Sequence, residues 1–258
     1  MDENEPKTTL TRKSPLPWIL LALAAIAGGI YLWLRTSAEP PAPVTLETPA
    51  PPGAPPEEPE PTPEAAAAGE TKLADLLPRV SSDALYRRGL ALGDFVRRAA
   101  VVIANLAEGA SPRRELAFLE PKGKFQAVRR SGKLVMSPAS YARYDAFAAA
   151  VGSVDVAALA AAWRVGRPAL QAAYRILGYR GPALDRALAR ALRRIAEAPV
   201  REGDVELVNA DGAYPYADQA LEKLPAVEKH LLRMGPGNMR VIQGKAREIL
   251  AELKLRER

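Results

Sequence analysis

The stretch DALYRRGLALGDFVRRAAVVIANLAE, residues 83–108, decides the class of fold that this chain adopts. Apolar residues recur along it at intervals of three, four and seven positions, at Leu85, Leu92, Val96, Ala99, Ile103 and Leu106. Arginines and an aspartate occupy the other face, so the spacing predicts one amphipathic helix with a single buried stripe. Gly109, Ser111 and Pro112 follow the stretch and are typical of a helix end.

The chain after this stretch also has mostly helical spacing. A helix is predicted over residues 155–177, with a bend or interruption near Gly166 and Pro168 because proline removes a helix hydrogen bond. Another is predicted through the leucines of residues 184–195. The remainder, from residue 218 onward, is predicted to be helical on both sides of a break at Gly235-Pro236.

One short region has the alternation of β-structure instead. Residues 125–128 and 133–136 flank Ser131-Gly132, which predicts a hairpin. Ser137-Pro138 then provides a helix cap followed by proline at the first helical position. Residues 205–208 are a further candidate for a short strand.

Near the N-terminus, residues 16–34 read LPWILLALAAIAGGIYLWL, nineteen positions without a charge. A run of this length is sufficient to cross a bilayer as a helix. Three basic residues precede it and one follows closely, which predicts residues 1–15 in the cytoplasm and the rest of the chain outside it: Lys7, Arg12, Lys13 and Arg35. We therefore expect a protein of the bacterial inner membrane whose C-terminal domain is periplasmic.

The apolar run has one alternative interpretation and one feature that bears on assembly. A cleaved signal peptide is the alternative, with cleavage after Ala24 or Ala27, but it would leave the apolar residues 30–34 at the new N-terminus. Ala24 and Gly28 have the spacing that lets two membrane helices approach closely, which makes a homodimer a possible assembly.

The charge of the chain is divided between two regions. Residues 36–70 contain seven glutamates and no Lys or Arg, and eleven prolines lie between Pro40 and Pro63. This composition predicts a disordered, extended linker over residues 35–70, with a reach of about 100 Å. Residues 71–258 contain 32 Lys and Arg against 20 Asp and Glu, a net charge of +12. We expect them to form one basic, mainly helical globular domain.

Residue counts exclude several kinds of chemistry. The chain has no cysteine and a single histidine, His230, which excludes disulfides, thiolate sites and the usual catalytic triads. Neither a metal site nor a cofactor is predicted, and no catalytic residue is assigned. Glycan hydrolysis would require two carboxyl groups on either side of the bond, and the sequence shows no such pair.

Two groups of residues are the candidate ligand- or partner-binding sites. Arg113 and Arg114 are adjacent on a loop and can bind carboxylates or phosphates in a bidentate way. Arg233, Asn238 and Arg240 surround the Gly235-Pro236 corner, where a helix start attracts anions. Solvated or capping side chains are the alternative interpretation of both groups.

Three stretches together resemble a known family: SPRRELAFLEP (111–121), SPASYARYDAF (137–147) and YADQALEKLPAVEKHLLRMGPGN (216–238). The chain resembles the bacterial domain of unknown function 3014 family. The resemblance implies the same layout of one membrane span, a proline-rich spacer and a helical domain, and it implies no activity.

The leading hypothesis is a non-enzymatic membrane protein whose basic periplasmic domain binds an anionic cell-wall or lipid component of the envelope, or a partner protein. The second hypothesis is a cell-wall-active hydrolase, or a regulator of one, that uses carboxylates. The third inverts the topology and places the domain on nucleic acid in the cytoplasm, which is the least favoured partner.

Overall fold

A computed structural model of the chain describes residues 60–179, 183–211 and 213–255. The predicted membrane span and residues 35–59 of the predicted linker lie outside them. Ten α-helices lie in the described ranges: α1 (Pro63–Val80), α2 (Ala84–Ala91), α3 (Phe95–Ala107), α4 (Pro138–Ala142), α5 (Asp145–Gly152), α6 (Val156–Ile176), α7 (Ala183–Glu197), α8 (Gln219–Glu222), α9 (Ala226–Leu232) and α10 (Gly235–Glu252). The hairpin strands are β1 (Ala127–Arg130) and β2 (Lys133–Met136). The domain is therefore mainly α with one small sheet, as predicted.

The first helix begins inside the predicted linker. α1 starts at Pro63, eight residues before the expected start of the domain at residue 71. The Thr62 hydroxyl accepts a hydrogen bond from the Ala65 backbone N–H at 3.2 Å, and Pro63 occupies the first helical position. The alanines that follow are the strongest helix formers, and they account for a helix where proline and glutamate suggested none.

α1 is held by close packing against α6. Gly69 and Gly166 let the two helices approach, since a methyl group at Gly166 would lie 2.5 Å from the Leu73 side chain. Around this contact lies the first of two main cores, which α1, α3, α6 and α7 build: Leu73, Val80, Val96, Ala100, Ile103, Leu170, Tyr174, Leu184 and Ala191 are among its buried residues. Near Pro168, where a bend or an interruption was expected, the helix is not interrupted: α6 runs continuously through this residue. It packs against α1 at this point.

The stretch predicted as one helix over residues 83–108 is two helices. Gly93 and Asp94 have positive φ values, +67° and +49°, and this left-handed backbone ends α2 and starts α3 in a new direction. The Asp83 carboxylate caps α2 by accepting hydrogen bonds from the Leu85 and Tyr86 backbones at 2.7 and 3.2 Å. The predicted apolar stripe is buried at Val96 and Ile103, but the prediction is wrong for Leu92, which is 57% exposed at the end of α2, where the local Gly-Asp backbone interrupts the helix.

The predicted hairpin is confirmed. β1 and β2 pair antiparallel from Ala127 opposite Met136 to Arg130 opposite Lys133. Ser131 and Gly132 both have positive φ, as a tight two-residue hairpin turn requires. The candidate strand at residues 205–208 contributes isolated bridges, in which Leu207 donates its N–H to the Leu134 carbonyl at 2.7 Å.

The second core joins the hairpin to the C-terminal helices. Its buried residues come from β2, α5, the 205–216 segment and α8–α10: Met136, Ala148, Leu207, Tyr216, Leu221, Leu231, Met239 and Ile242 are among them. No single helix in the described ranges is both long and apolar enough to cross a membrane, although α5 and α6, which meet at 74°, satisfy the length and composition criteria as a pair.

Gly235 makes the sharp corner between α9 and α10. Its φ is +80°, the left-handed value predicted from the sequence, and a methyl group there would lie 2.6 Å from the Tyr141 ring. Pro236 follows in the first turn of α10. The corner therefore has two independent reasons to exclude a side chain.

Replacing Gly235 with alanine is expected to destabilise residues 56–258 by about 2 kcal/mol or more, because backbone strain and overpacking against Tyr141 add together. Gly237→Ala is the matched control, since Gly237 is helical and has open space around its Cα. That substitution is expected to be neutral or to stabilise by up to about 1 kcal/mol. Urea unfolding followed by circular dichroism measures both, and equal effects would contradict the assigned corner.

Candidate functional site

Arg233, the first predicted residue of the corner, is bound internally. Its Nη2 donates a hydrogen bond to the Tyr214 carbonyl at 2.7 Å. The guanidinium carbon lies 5.1 Å from the Phe125 ring centroid and 5.2 Å from that of Tyr216. Arg233 thus stabilises the second core by cation–π contacts.

Asn238 is also used for structure. Its Nδ2 donates to the backbone carbonyls of Tyr141 and Met234, at 3.0 and 2.9 Å, and lies 3.0 Å from an Asp145 carboxylate oxygen. These contacts join the start of α10 to α4 and α5. The side-chain amide therefore has no N–H left over for a ligand.

Arg240 faces away from this network. Its side chain is 59% exposed on α10 and forms an ion pair with the equally exposed Glu202. The three residues predicted at the corner consequently contact different parts of the domain and do not converge on one ligand position in the structure.

The other predicted pair lies on the surface. Arg113 forms an ion pair with Glu120 at 3.3 Å, and both side chains are about two-thirds exposed, so the pair contributes little to stability. Arg114 is exposed and has no acidic partner within the described residues.

One unexpected relation does connect the two predicted groups. Arg113 and Arg233 are both near His230, which is half-buried on α9, and its Nδ1 lies 3.1 Å from the Ser111 hydroxyl oxygen. Burial, followed by the positive charges of Arg113 and Arg233, lowers the pKa of the His230 imidazole below its usual 6.5. The sequence did not predict that His230 lies close to Ser111, Arg113 and Arg233.

The strongest concentration of positive charge lies between residues 113 and 133, which we call the basic segment. It contains seven Lys and Arg and two Glu, a net charge of +5. Acidic residues elsewhere neutralise two of its cations, at 2.6 Å for Arg130–Asp204 and 2.8 Å for Lys133–Glu206. Four exposed cations have no ion pair within the described residues: Arg114, Lys122, Lys124 and Arg129.

Contacts with the second core hold the basic segment in place. The Phe125 ring lies against Arg233 and, at 5.3 Å between centroids, against Tyr214. The buried Ser140 hydroxyl accepts from the Gln126 N–H at 2.7 Å and donates to the Gln126 carbonyl at 2.9 Å. Lys124 and its neighbours are therefore presented from a fixed backbone.

The arginine stripe of α7 is different in kind. An open cleft of about 830 Å³ is lined by Arg190, Arg193, Arg194, Glu197 and Glu228, among others. Glu228 accepts a hydrogen bond from Arg194 at 2.8 Å, and Glu108 lies 3.7 Å from Arg190. Acidic residues near these arginines offset the positive charge of the cleft, as expected for the solvent-facing side of an amphipathic helix.

Three carboxylates that a hydrolase could use have structural partners in the described residues. Glu115 lies 3.5 Å from Arg97, and Asp218 caps α8 through the Ala220 N–H at 2.8 Å. Glu222 accepts from Lys229 at 2.8 Å and from the Tyr216 N–H, and these hydrogen bonds lower the pKa of its carboxyl group. Each of these groups is held in a cap or an ion pair, and the hydrolase hypothesis stays a prediction.

The lowered pKa of His230 has a consequence for stability. The unfolded chain binds a proton near pH 6.5, while the folded domain resists that proton until a lower pH, so the free energy of unfolding falls as the pH drops through 6.5. His230→Asn is expected to weaken this dependence between pH 7.5 and pH 5, as measured by urea unfolding of residues 56–258. Because His230 is the only histidine of the chain, its NMR titration gives the pKa of this imidazole without overlap from another. A midpoint at or above pH 6.5 would contradict the lowered pKa.

Comparisons with known proteins give the family of the chain. Neither a curated protein nor a solved structure matches it. The family model described as protein of unknown function, DUF3014, matches residues 95–250, which include the basic segment, the hairpin and the corner. The match covers more than half of the chain, and the chain belongs to the DUF3014 family.

Proposed function

We propose that the chain is a single-pass protein of the bacterial inner membrane whose helical domain, on the periplasmic side, binds an anionic component of the cell envelope. The cell wall is the first candidate. The observation that carries the proposal is the basic segment, with four exposed cations that have no acidic partner among the described residues.

The uneven distribution of charge supports a specific surface. The basic segment has a net charge of +5 over 21 residues, whereas residues 63–91, in α1 and α2, contain four basic and four acidic residues. A general excess of arginine in the chain would make the net charge of both regions positive. Exposed cations that are concentrated in one segment attract anionic polymers and orient them toward that surface.

The sequence of residues 1–35 supports the proposed location. The uncharged run at residues 16–34 and the excess of basic residues before it favour a periplasmic domain. The proline- and glutamate-rich linker then gives the domain reach toward the wall.

Co-sedimentation with cell-wall sacculi tests the proposal, with the full-length chain in a non-ionic detergent at physiological salt. We expect the wild-type chain to be retained and the quadruple variant R114Q/K122Q/K124Q/R129Q to bind about tenfold more weakly, since each exposed ionic contact contributes about 0.2–1 kcal/mol.

The variant K72Q/R79Q/R87Q/R88Q is the matched control. It removes four exposed cations from α1 and α2, which have no ion pair among the described residues. Retention of this control at the wild-type level supports the basic segment as the binding surface. Equal loss in both variants would mean that net charge alone causes retention, and no retention of the wild type would favour a partner protein instead.

A further inference from the structure

A second feature of the domain is an apolar groove whose lining contains one charged side chain. The groove has a volume of about 280 Å³ and lies between α2, α3, α5 and the 3-10 turn at Ala117–Leu119. Apolar side chains line most of it, Phe95, Val102, Phe118 and Phe147 among them. Arg98 is the one charged residue in its lining.

Arg98 uses only part of its guanidinium. Its Nη1 donates to the Gly89 and Gly93 carbonyls, at 3.4 and 3.2 Å, at the end of α2. Its Nε is buried and has no hydrogen-bond partner, and no carboxylate pairs with Arg98 within the described residues. A buried donor without a partner carries a cost in stability, which a ligand that accepts a hydrogen bond removes.

We propose that this groove binds a fatty acid, with the acyl chain along the apolar walls and the carboxylate on the Nε–Nη2 edge of Arg98. That edge matches the two oxygens of a carboxylate in a bidentate arrangement. The positive charge in an otherwise apolar lining is the complement of an anionic head on an apolar chain. The inference goes beyond the proposed function, because none of the four unpaired cations of the basic segment lines the groove.

The size and wall of the groove fit one unbranched chain. Its volume lies near the lower limit of small-molecule sites, which span about 300–1,000 Å³. Phe118 lies over Arg98, with 5.1 Å between the guanidinium carbon and the ring centroid. This ring belongs to a three-residue turn, so it is the part of the wall that a carboxylate displaces as it reaches the Nε–Nη2 edge.

The absence of cysteine from the sequence provides a direct probe of occupancy. In the full-length chain in phosphatidylcholine nanodiscs, Ala99→Cys places one thiol in the groove wall, and Ala149→Cys places one on the exposed side of α5. We expect dodecanoate to slow alkylation of the groove thiol by N-ethylmaleimide and to leave the exposed thiol unaffected. The apparent affinity should rise about fourfold for each methylene from octanoate to dodecanoate.

The head group is tested with dodecanol and with two arginine variants. In the Ala99→Cys background we expect dodecanoate to bind about tenfold more tightly than dodecanol, or better, and Arg98→Gln to abolish that preference. Arg97→Gln is the matched control, because Arg97 is exposed, pairs with Asp94 and does not line the groove. It should retain the preference.

Two results overturn the inference. One is no protection of the groove thiol by dodecanoate; the other is equal protection by dodecanoate and dodecanol with Arg98 intact, which would mean that Arg98 does not bind the carboxylate. Hydrogen exchange of the unsubstituted chain provides the second measurement if a variant does not fold. Slower exchange in residues 95–107 and 145–152 with dodecanoate, and not with dodecanol, supports the inference, and unchanged exchange overturns it.

Discussion

The corner between α9 and α10 is the constraint on which the second core depends. Gly235 adopts a left-handed backbone directly against the Tyr141 ring, and this turn places Arg233 and Asn238 on opposite sides of it. Arg233 contacts the rings of Phe125, which lies just before β1, and of Tyr216, while Asn238 contacts α4 and α5. One glycine therefore fixes the relative positions of four parts of the domain, and the polar groups around it serve that geometry.

This arrangement changes where an anionic partner is to be sought. The corner has the composition of an anion site, but its strongest donors are occupied by carbonyls and aromatic rings inside the domain. In the proposed function the corner acts indirectly: Arg233 contacts the Phe125 ring, and Phe125 anchors the basic segment that includes Lys122 and Lys124. The basic segment concentrates exposed cations that have no ion pair among the described residues, whereas acidic residues lie close to the arginines of α7.

The sequence predicted several turns and caps from residue type, but it did not predict every helix boundary. The hairpin at Ser131-Gly132, the cap at Ser137 and the left-handed Gly235 follow from residue type, and all three are confirmed. The break at Gly93-Asp94 was missed because the apolar spacing continues across it, and the early start of α1 was missed because the proline- and glutamate-rich composition outweighed the local signal of the Thr62 cap, Pro63 and the alanines. Arg113 and Arg114 were found from their adjacency. Lys122, Lys124 and Arg129 were missed, although the charge count of residues 113–133 carried the signal, and Arg98 had no signal because its isolation from carboxylates exists only in the folded domain.

Thiol labelling in cells directly tests the proposed contact between the basic segment and the cell wall in the periplasm. Val128→Cys lies on the exposed hairpin within the basic segment, and Ala91→Cys lies at the exposed end of α2. A membrane-impermeant maleimide, added to cells with a permeabilised outer membrane, should label both thiols. Digestion of the wall with lysozyme should accelerate labelling of Val128→Cys and leave that of Ala91→Cys unchanged. Absence of labelling before cell lysis would contradict the periplasmic location. A labelling rate of Val128→Cys that does not change when the wall is digested would contradict the contact with the wall.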